Sequence, residues 1–142
     1  GGVTYTADDR AFAQQLQTSL AGPVPPIDDA AKVFPFSGGS VDPASTDMGD
    51  VSWAVPTVQL SAATWVPGTP AHSWQAVAAG GTPIGAKGMM VAAKTMSLTA
   101  IDLFRDPSLL VKARAEFDQR RGADFVYKTR LDRDKPALDY RK

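Results

Sequence analysis

The sequence predicts an α/β fold whose sheet is incomplete within this chain. Helical apolar spacing occurs near the start of the chain and over much of its second half. A short, uncharged and partly β-branched run at residues 57–63 is typical of a buried strand. The predicted order is helix, loop, strand, loop, long helix and helix. Because one strand cannot form a sheet, the chain is expected to be part of a sheet rather than the whole of one.

The first helix is expected to begin after Thr6, a residue type that caps helix N-termini. Phe12 and Leu16 recur four residues apart within it, and a Gly-Pro pair at residues 22–23 ends it. A proline-rich segment then extends to residue 56 and includes a Ser-Gly-Gly-Ser turn at residues 37–40. A long irregular segment inside a compact chain is usually functional or disordered.

The two helices of the second half are predicted from repeated start signals. Thr82-Pro83 and Asp106-Pro107 each place a capping side chain before a proline at the first helical position. Gly85 and Gly88 would let the longer helix approach a neighbour closely, and Gly122 is a natural terminator of the last helix. An apolar stripe on the longer helix is expected to lie in the core; it comprises Met89, Ala93, Met96, Ala100 and Leu103.

Composition excludes several classes of site. The 142 residues contain no cysteine, which excludes disulfides, thiolate catalysis and cysteine-ligated metals. They contain one histidine, His72, so no metal site with two histidines can form within one chain. Formal net charge is zero, and acidic residues are interleaved with the basic ones after residue 110, so a nucleic-acid partner is not expected. No apolar run is long enough for a membrane span and no signal peptide is visible, which makes a cytoplasmic location the expectation.

Two loops are candidates for chemistry. In the first, Asp47 and Asp50 lie before the predicted strand, where they are either metal ligands, orienting groups or turn-forming residues. In the second, His72 follows that strand through a glycine–proline loop, a position where α/β proteins often place ligands and catalytic groups. Ser45, Asp47 and His72 could be written as a catalytic triad, but the Gly-x-Ser-x-Gly elbow that presents such a serine is missing.

Four segments closely resemble the C-terminal part of amidohydrolases of the aminobenzoyl-glutamate utilisation protein B type, which belong to the two-metal aminoacylase/carboxypeptidase peptidase family. The resemblance extends from residue 5 to about residue 125. The segments that carry it are residues 45–53 (Ser-Thr-Asp-Met-Gly-Asp-Val-Ser-Trp), 55–57 (Val-Pro-Thr), 68–75 (Gly-Thr-Pro-Ala-His-Ser-Trp-Gln) and 88–94 (Gly-Met-Met-Val-Ala-Ala-Lys).

The resemblance implies a hydrolase that cleaves the amide bond of an N-acyl amino acid or aminobenzoyl-glutamate-like substrate. It implies a mixed-sheet catalytic domain flanked by helices, an inserted dimerisation domain, a homodimer, and two divalent ions, zinc or manganese. In the family pattern the histidine at this position is the last metal ligand, which assigns that role to His72. The same pattern places five residues at the substrate: Thr46, Asp47, Asp50, Gly68 and Thr69.

The chain departs from the family pattern in what it lacks. The family's His-x-Asp pair and paired glutamates are missing, and the single glutamate, Glu116, lies on the last predicted helix. Residues 1–142 are therefore expected to form a C-terminal segment of the catalytic domain, without the dimerisation insert or the N-terminal ligands. Such a segment would be inactive alone and would complete its site with the missing N-terminal part or a partner chain. The alternative is a non-catalytic binding or structural module derived from the same family.

Overall fold

A computed structural model of the chain describes residues 2–38 and 46–128, together with Leu138. These residues form five α-helices and one 3₁₀ helix. Two compact units are present: unit 1 combines Gly1–Ser40 with Gln59–Arg105, and unit 2 combines Val41–Val58 with Asp106–Lys142. Ser45 and parts of the turn and tail discussed above lie outside the described residues. The helices are α1 Ala7–Gln17, a 3₁₀ helix Ile27–Ala31, α2 Met48–Ala54, α3 Trp74–Gly80, α4 Pro83–Arg105 and α5 Pro107–Arg121.

Helix α1 begins where its sequence predicts. The Thr6 hydroxyl accepts a hydrogen bond from the Asp9 backbone N–H at 3.2 Å, and the Asp9 carboxylate accepts one from the Thr6 N–H at 2.8 Å. This reciprocal capping box satisfies two backbone donors that the first turn would otherwise leave unpaired. The predicted cap at Thr6 is confirmed.

The core of unit 1 is small, and its side chains come from the N-terminus, α1, the 3₁₀ helix, the segment before α3, α3 and α4. Val66, which precedes α3 in the second sequence range of the unit, is 1% exposed, and Ile84 of α4 is fully buried. The Val3 N–H donates to the Ala30 carbonyl at 2.8 Å, which ties the N-terminus to the 3₁₀ helix. The buried apolar side chains of this cluster are Val3, Tyr5, Ala13, Leu16, Ala30, Val66, Ala79 and Ile84.

Glycines allow α4 to approach its neighbours closely, as predicted. A Cβ atom built on Gly85 would lie 2.3 Å from the carbonyl oxygen of Gly80 at the end of α3. A Cβ on Gly88 would lie 2.3 Å from the carbonyl oxygen of Ala63. Both separations are far below van der Waals contact, so only glycine fits at these two positions without a shift of the backbone.

The starts of the last two helices are also confirmed. The Thr82 hydroxyl accepts from the Ile84 N–H at 3.2 Å, and the Asp106 carboxylate accepts from the Ser108 N–H at 3.0 Å. Gly122 ends α5 with φ +84°, a conformation that residues with a Cβ rarely adopt.

Unit 2 is held by aromatic contacts rather than by a buried core. The Trp53 and Phe125 rings stack with centroids 4.6 Å apart. The guanidinium groups of Arg114 and Arg121 lie over the Phe117 ring at 5.2 Å and 4.7 Å from its centroid. No residue of α2 or α5 is buried.

The predicted mixed sheet is not confirmed, because the described residues contain no β-strand. Residues 57–63 are neither helical nor paired, and the side chains of Val58 and Leu60 are exposed, so the buried strand predicted there is not confirmed. An extended segment becomes a strand only when a neighbour pairs with its N–H and C=O groups. Among the described residues, no segment does so.

One further expectation needs correction, and one helix was not predicted. Met89 and Met96 are more than half exposed, so their stripe is not core here. The buried residues of α4 are Ile84, Gly85 and Gly88, all in its first two turns, and the rest of the helix extends beyond the core of unit 1. Helix α2 was not predicted, because its seven residues include a glycine and are too few to show a helical apolar period.

Candidate functional site

His72 lies in the loop that joins the buried Val66 to helix α3. Its backbone has φ +57°, in the left-handed region, and among the described non-glycine residues it alone has a positive φ. This conformation is costly for a residue with a Cβ, and such strain clusters at functional sites. The imidazole is exposed to solvent. The structure therefore presents the single histidine from a constrained turn, not from a buried core position.

The turn before His72 depends on Gly68 and Thr69. Gly68 has φ +90°, and the Thr69 N–H donates to the Val66 carbonyl at 3.1 Å, which closes the turn. A Cβ on Gly68 would lie 2.9 Å from the Pro25 side chain. Gly68 is thus required by backbone geometry, whether or not substrate approaches it.

The Thr69 hydroxyl is buried and has no hydrogen-bond partner among the described residues. A buried hydroxyl without a partner costs free energy, so an unpaired one is notable in a residue predicted to bind substrate. Its role in binding stays a prediction.

Side chains far away in sequence fix the position of this loop. The Gln17 amide nitrogen donates to the Pro67 carbonyl at 3.1 Å, and the Tyr5 hydroxyl donates to the Trp65 carbonyl at 3.4 Å. Burial, and to a smaller extent the nearby Asp9 carboxylate, raises the pKa of Tyr5, which keeps this donor protonated. Neither contact was predicted, since no local pattern in a sequence marks partners 50 or more residues apart.

A wide groove lies beside His72. Its volume is about 460 Å³, and it opens broadly to solvent. The polar side-chain groups among its lining residues are the His72 imidazole, the Ser73 hydroxyl and the indole N–H groups of Trp65 and Trp74. The complete lining consists of Trp65, His72, Ser73, Trp74, Ala76 and Val77.

The remaining predicted site residues belong to unit 2, whereas Gly68, Thr69 and His72 share one loop of unit 1. Thr46, Asp47 and Asp50 are all exposed at the start of α2. The Thr46 hydroxyl accepts from the Met48 N–H at 3.2 Å, and the Thr46 carbonyl accepts from the Gly49 N–H at 3.2 Å. Asp47 makes no capping hydrogen bond with its side chain.

Metal-ligating residues do not cluster in the part of the chain that the structure describes. No group of three or more histidine, cysteine, aspartate or glutamate side chains there could hold a metal ion. His72 alone offers one nitrogen ligand, so these residues do not fit a complete two-metal centre. In the same residues, no helix is both long and apolar enough to cross a membrane.

Comparison with known proteins identifies one informative relative. No family model matches the chain, and no solved structure matches it. The chain is 45% identical over 91 residues to one of the subunits of the p-aminobenzoyl-glutamate hydrolase of Escherichia coli (strain K12). The match covers 63% of this chain but only 19% of the length of that relative. It confirms the resemblance predicted from the sequence: over most of its length, this chain is similar to a part of a p-aminobenzoyl-glutamate hydrolase subunit.

Proposed function

We propose that this chain forms part of a metal-dependent amidohydrolase that cleaves the amide bond of N-acyl amino acid or aminobenzoyl-glutamate-like substrates. The observation that carries the proposal is the 45% identity to a p-aminobenzoyl-glutamate hydrolase subunit over 91 residues. The strained backbone of His72, presented from a loop that three long-range side-chain hydrogen bonds help to hold, gives independent support. The third of these hydrogen bonds joins the Gln75 amide, which donates, to the Ser19 carbonyl at 3.3 Å.

In this proposal His72 supplies one imidazole ligand to a centre that holds zinc or manganese. Imidazole is a common ligand for such ions, and one that is exposed can be reached by groups from elsewhere. The other ligands and the general base come from residues outside the described part of the chain. They belong to a preceding segment of the same protein or to a partner chain. Thr46, Asp47, Asp50, Gly68 and Thr69 are proposed to contact substrate.

The predicted sheet belongs to the same proposal. Residues 57–63 would pair as a strand when the remainder of the catalytic domain lies beside them, and the exposed stripe on α4 would pack against that remainder. A homodimer and a cytoplasmic location also remain predictions.

The test is substitution of His72 in the assembled enzyme, purified through a tag on this chain. His72→Gly removes the imidazole and also relieves the left-handed strain, because glycine adopts this backbone conformation without penalty. A loss of function in this variant is therefore not caused by backbone strain. His72→Asn is the matched control for shape, because asparagine tolerates the same conformation and keeps a polar side chain. Release of p-aminobenzoate from p-aminobenzoyl-glutamate measures activity, and elemental analysis measures bound zinc and manganese.

The proposal predicts that His72→Gly loses both hydrolysis and at least one equivalent of metal while the fold is retained. His72→Asn should lose activity to a similar extent. Unchanged activity and unchanged metal content in His72→Gly would refute the role of His72. An assembled wild-type complex without metal or hydrolysis would refute the hydrolase assignment and favour the non-catalytic module.

A further inference from the structure

Gln17, the last residue of α1, holds two backbone carbonyls with one side chain. Its amide nitrogen donates to the Pro25 carbonyl at 3.0 Å and to the Pro67 carbonyl at 3.1 Å. A side-chain amide nitrogen carries two hydrogens, so both of its donors are used. Gln17 therefore joins the end of α1 to the segment that follows it and to the loop that leads to His72.

These two carbonyls lie where regular secondary structure does not supply a donor. Residues 23–26 and 62–70 form neither helix nor strand, so no helical or strand hydrogen bond reaches the carbonyls of Pro25 and Pro67. The proline ring fixes φ at both positions. A hydrogen bond that also holds the carbonyl therefore leaves little backbone freedom at either residue.

The two segments that Gln17 joins are in direct contact. A Cβ atom built on Gly68 would lie 2.9 Å from the Pro25 side chain. Gly68 comes directly after Pro67, so the hydrogen bonds of Gln17 and this close packing act on the same part of the loop. Together they define where the loop leaves the core of unit 1.

The loop that leads to His72 is short and is closed by two turns. The Thr69 N–H donates to the Val66 carbonyl at 3.1 Å, and the Ser73 hydroxyl donates to the Pro70 carbonyl at 2.7 Å. His72 lies within the second of these turns, with φ +57°. A strained residue keeps its conformation only while its surroundings are held, so a displacement at the start of the loop would reach His72.

We propose that Gln17 is a positioning residue of the candidate site. Its two hydrogen bonds set where the loop of His72 lies against the core, and the assembled enzyme needs both donors for full turnover. In this role Gln17 acts through the backbone of the loop and contacts no reacting atom. This inference rests on the proposed function, and it adds a residue of α1 to the groups on which that function depends.

Two variants of Gln17 and two controls test the proposal. Gln17→Met keeps the approximate length and the helix preference of glutamine but offers no donor. Gln17→Glu keeps the shape and replaces the donating nitrogen with an acceptor. Gln14→Met repeats the first change at an exposed position of the same helix. Val3→Ala is the stability control, because it removes buried volume from the core of unit 1 without removing a hydrogen bond of the loop.

Three quantities are measured for each variant. Selective ¹⁵N labelling of histidine gives one backbone amide cross-peak in the full chain, since His72 is its single histidine. Uniform labelling gives the rate at which the Thr69 N–H exchanges with solvent. Release of p-aminobenzoate from p-aminobenzoyl-glutamate gives kcat/KM in the assembled enzyme.

We expect Gln17→Met to shift or broaden the His72 cross-peak, to speed exchange of the Thr69 N–H roughly tenfold, and to lower kcat/KM roughly tenfold or more. Gln17→Glu should have at least as large an effect, because its carboxylate faces two carbonyl oxygens. Gln14→Met should leave all three quantities unchanged. Val3→Ala should lower the urea midpoint and leave the His72 cross-peak and kcat/KM unchanged.

An unchanged His72 cross-peak in both variants of Gln17 would overturn the inference, because the loop would then not depend on these hydrogen bonds. A moved cross-peak with unchanged kcat/KM would also overturn it, because the hydrogen bonds would then serve stability alone. So would an equal loss of kcat/KM in Val3→Ala. The fate of the proposed function is separate: an inactive wild-type assembly would refute that function, whereas an active one that tolerates both variants of Gln17 would refute the positioning role alone.

Discussion

Replacing Gly88 with alanine should destabilise unit 1 by forcing α4 away from the segment that leads to Trp65. The new Cβ would lie 2.3 Å from the Ala63 carbonyl oxygen, 2.7 Å from its carbonyl carbon and 2.8 Å from the Thr64 Cα. All three atoms belong to the backbone, so no side chain can rotate to make room. Either the helix or the extended segment must move.

Two effects of opposite sign decide the size of the change. Alanine is favoured over glycine inside a helix by about 1 kcal/mol. Overpacking of a close contact costs typically about 1–3 kcal/mol, and contact with rigid backbone places Gly88 at the upper end of that range. The net expectation is a loss of about 2 kcal/mol in the free energy of unfolding.

Urea denaturation followed by circular dichroism measures this loss, with Gly49→Ala as the control. Gly49 also lies in a helix, but a Cβ there has no atom within 4 Å, so only the propensity gain applies and stability should rise slightly. An unchanged or higher urea midpoint for Gly88→Ala would refute the close-packing argument.

Three further predictions concern charge, an unpaired hydroxyl and exposed apolar surface. Hydrogen bonds from Lys87 and from the Thr6 N–H hold the pKa of Asp9 below its ordinary value of 3.8. The ionised Asp9 carboxylate therefore stabilises the fold above pH 3.8, and this stabilisation is lost as the pH falls through the lowered pKa of Asp9 in the folded state. Asp9→Asn should therefore flatten the acid limb of the stability–pH profile, and an unaltered profile would contradict the prediction. Thr69→Val should leave the free energy of unfolding unchanged or raise it, because the substitution deletes a buried hydroxyl that lacks a hydrogen-bond partner. In the assembled enzyme the same variant should raise KM. A large drop in the urea midpoint would show that the hydroxyl is paired. The isolated chain should self-associate through the exposed stripe on α4. Met96→Lys should reduce the associated fraction measured by sedimentation velocity. A wild-type chain that stays monomeric at high concentration would contradict this prediction.

The helix starts were predictable because their signals are local. At each helix start, a side chain accepts a hydrogen bond from a backbone N–H two or three residues further along the chain; these side chains are Thr6, Thr82 and Asp106. Both partners of each hydrogen bond therefore lie within a few adjacent residues of the sequence. The close approach of α4 to its neighbours was also predictable, because two glycines, Gly85 and Gly88, lie in the first turns of a helical pattern. The partner in that approach was not predictable, because Ala63 is distant in sequence.

The predicted sheet is not confirmed and the methionine stripe is exposed, for one shared physical reason. Two segments have the apolar composition of surfaces that become buried: residues 57–63 and the stripe from Met89 to Leu103. Composition indicates that a surface tends to be buried, but it does not indicate which part of the protein covers it. In this chain the described residues provide no strand to pair with and no cover for the stripe. The relative is much longer, since the match covers 19% of it, so material to cover such surfaces exists in that protein.

The sequence singles out His72 as a candidate, but it does not show what holds the loop of His72 in place. His72 was singled out because it is the chain's one histidine and follows a glycine–proline loop, and both facts are visible in the sequence. Its left-handed backbone is a property of the folded chain, and it persists because the residues around it are held: Gln17 fixes Pro67, Tyr5 fixes Trp65, and Gln75 ties α3 to Ser19.

A strained residue needs surroundings that over-determine its conformation. The small core of unit 1 and these three hydrogen bonds provide that constraint within the chain itself, although the described residues complete no metal centre. The backbone that carries His72 is thus held in place before any partner contributes its ligands. A ligand that is already positioned costs less entropy to recruit, which makes this loop suited to complete a site whose other half arrives from elsewhere.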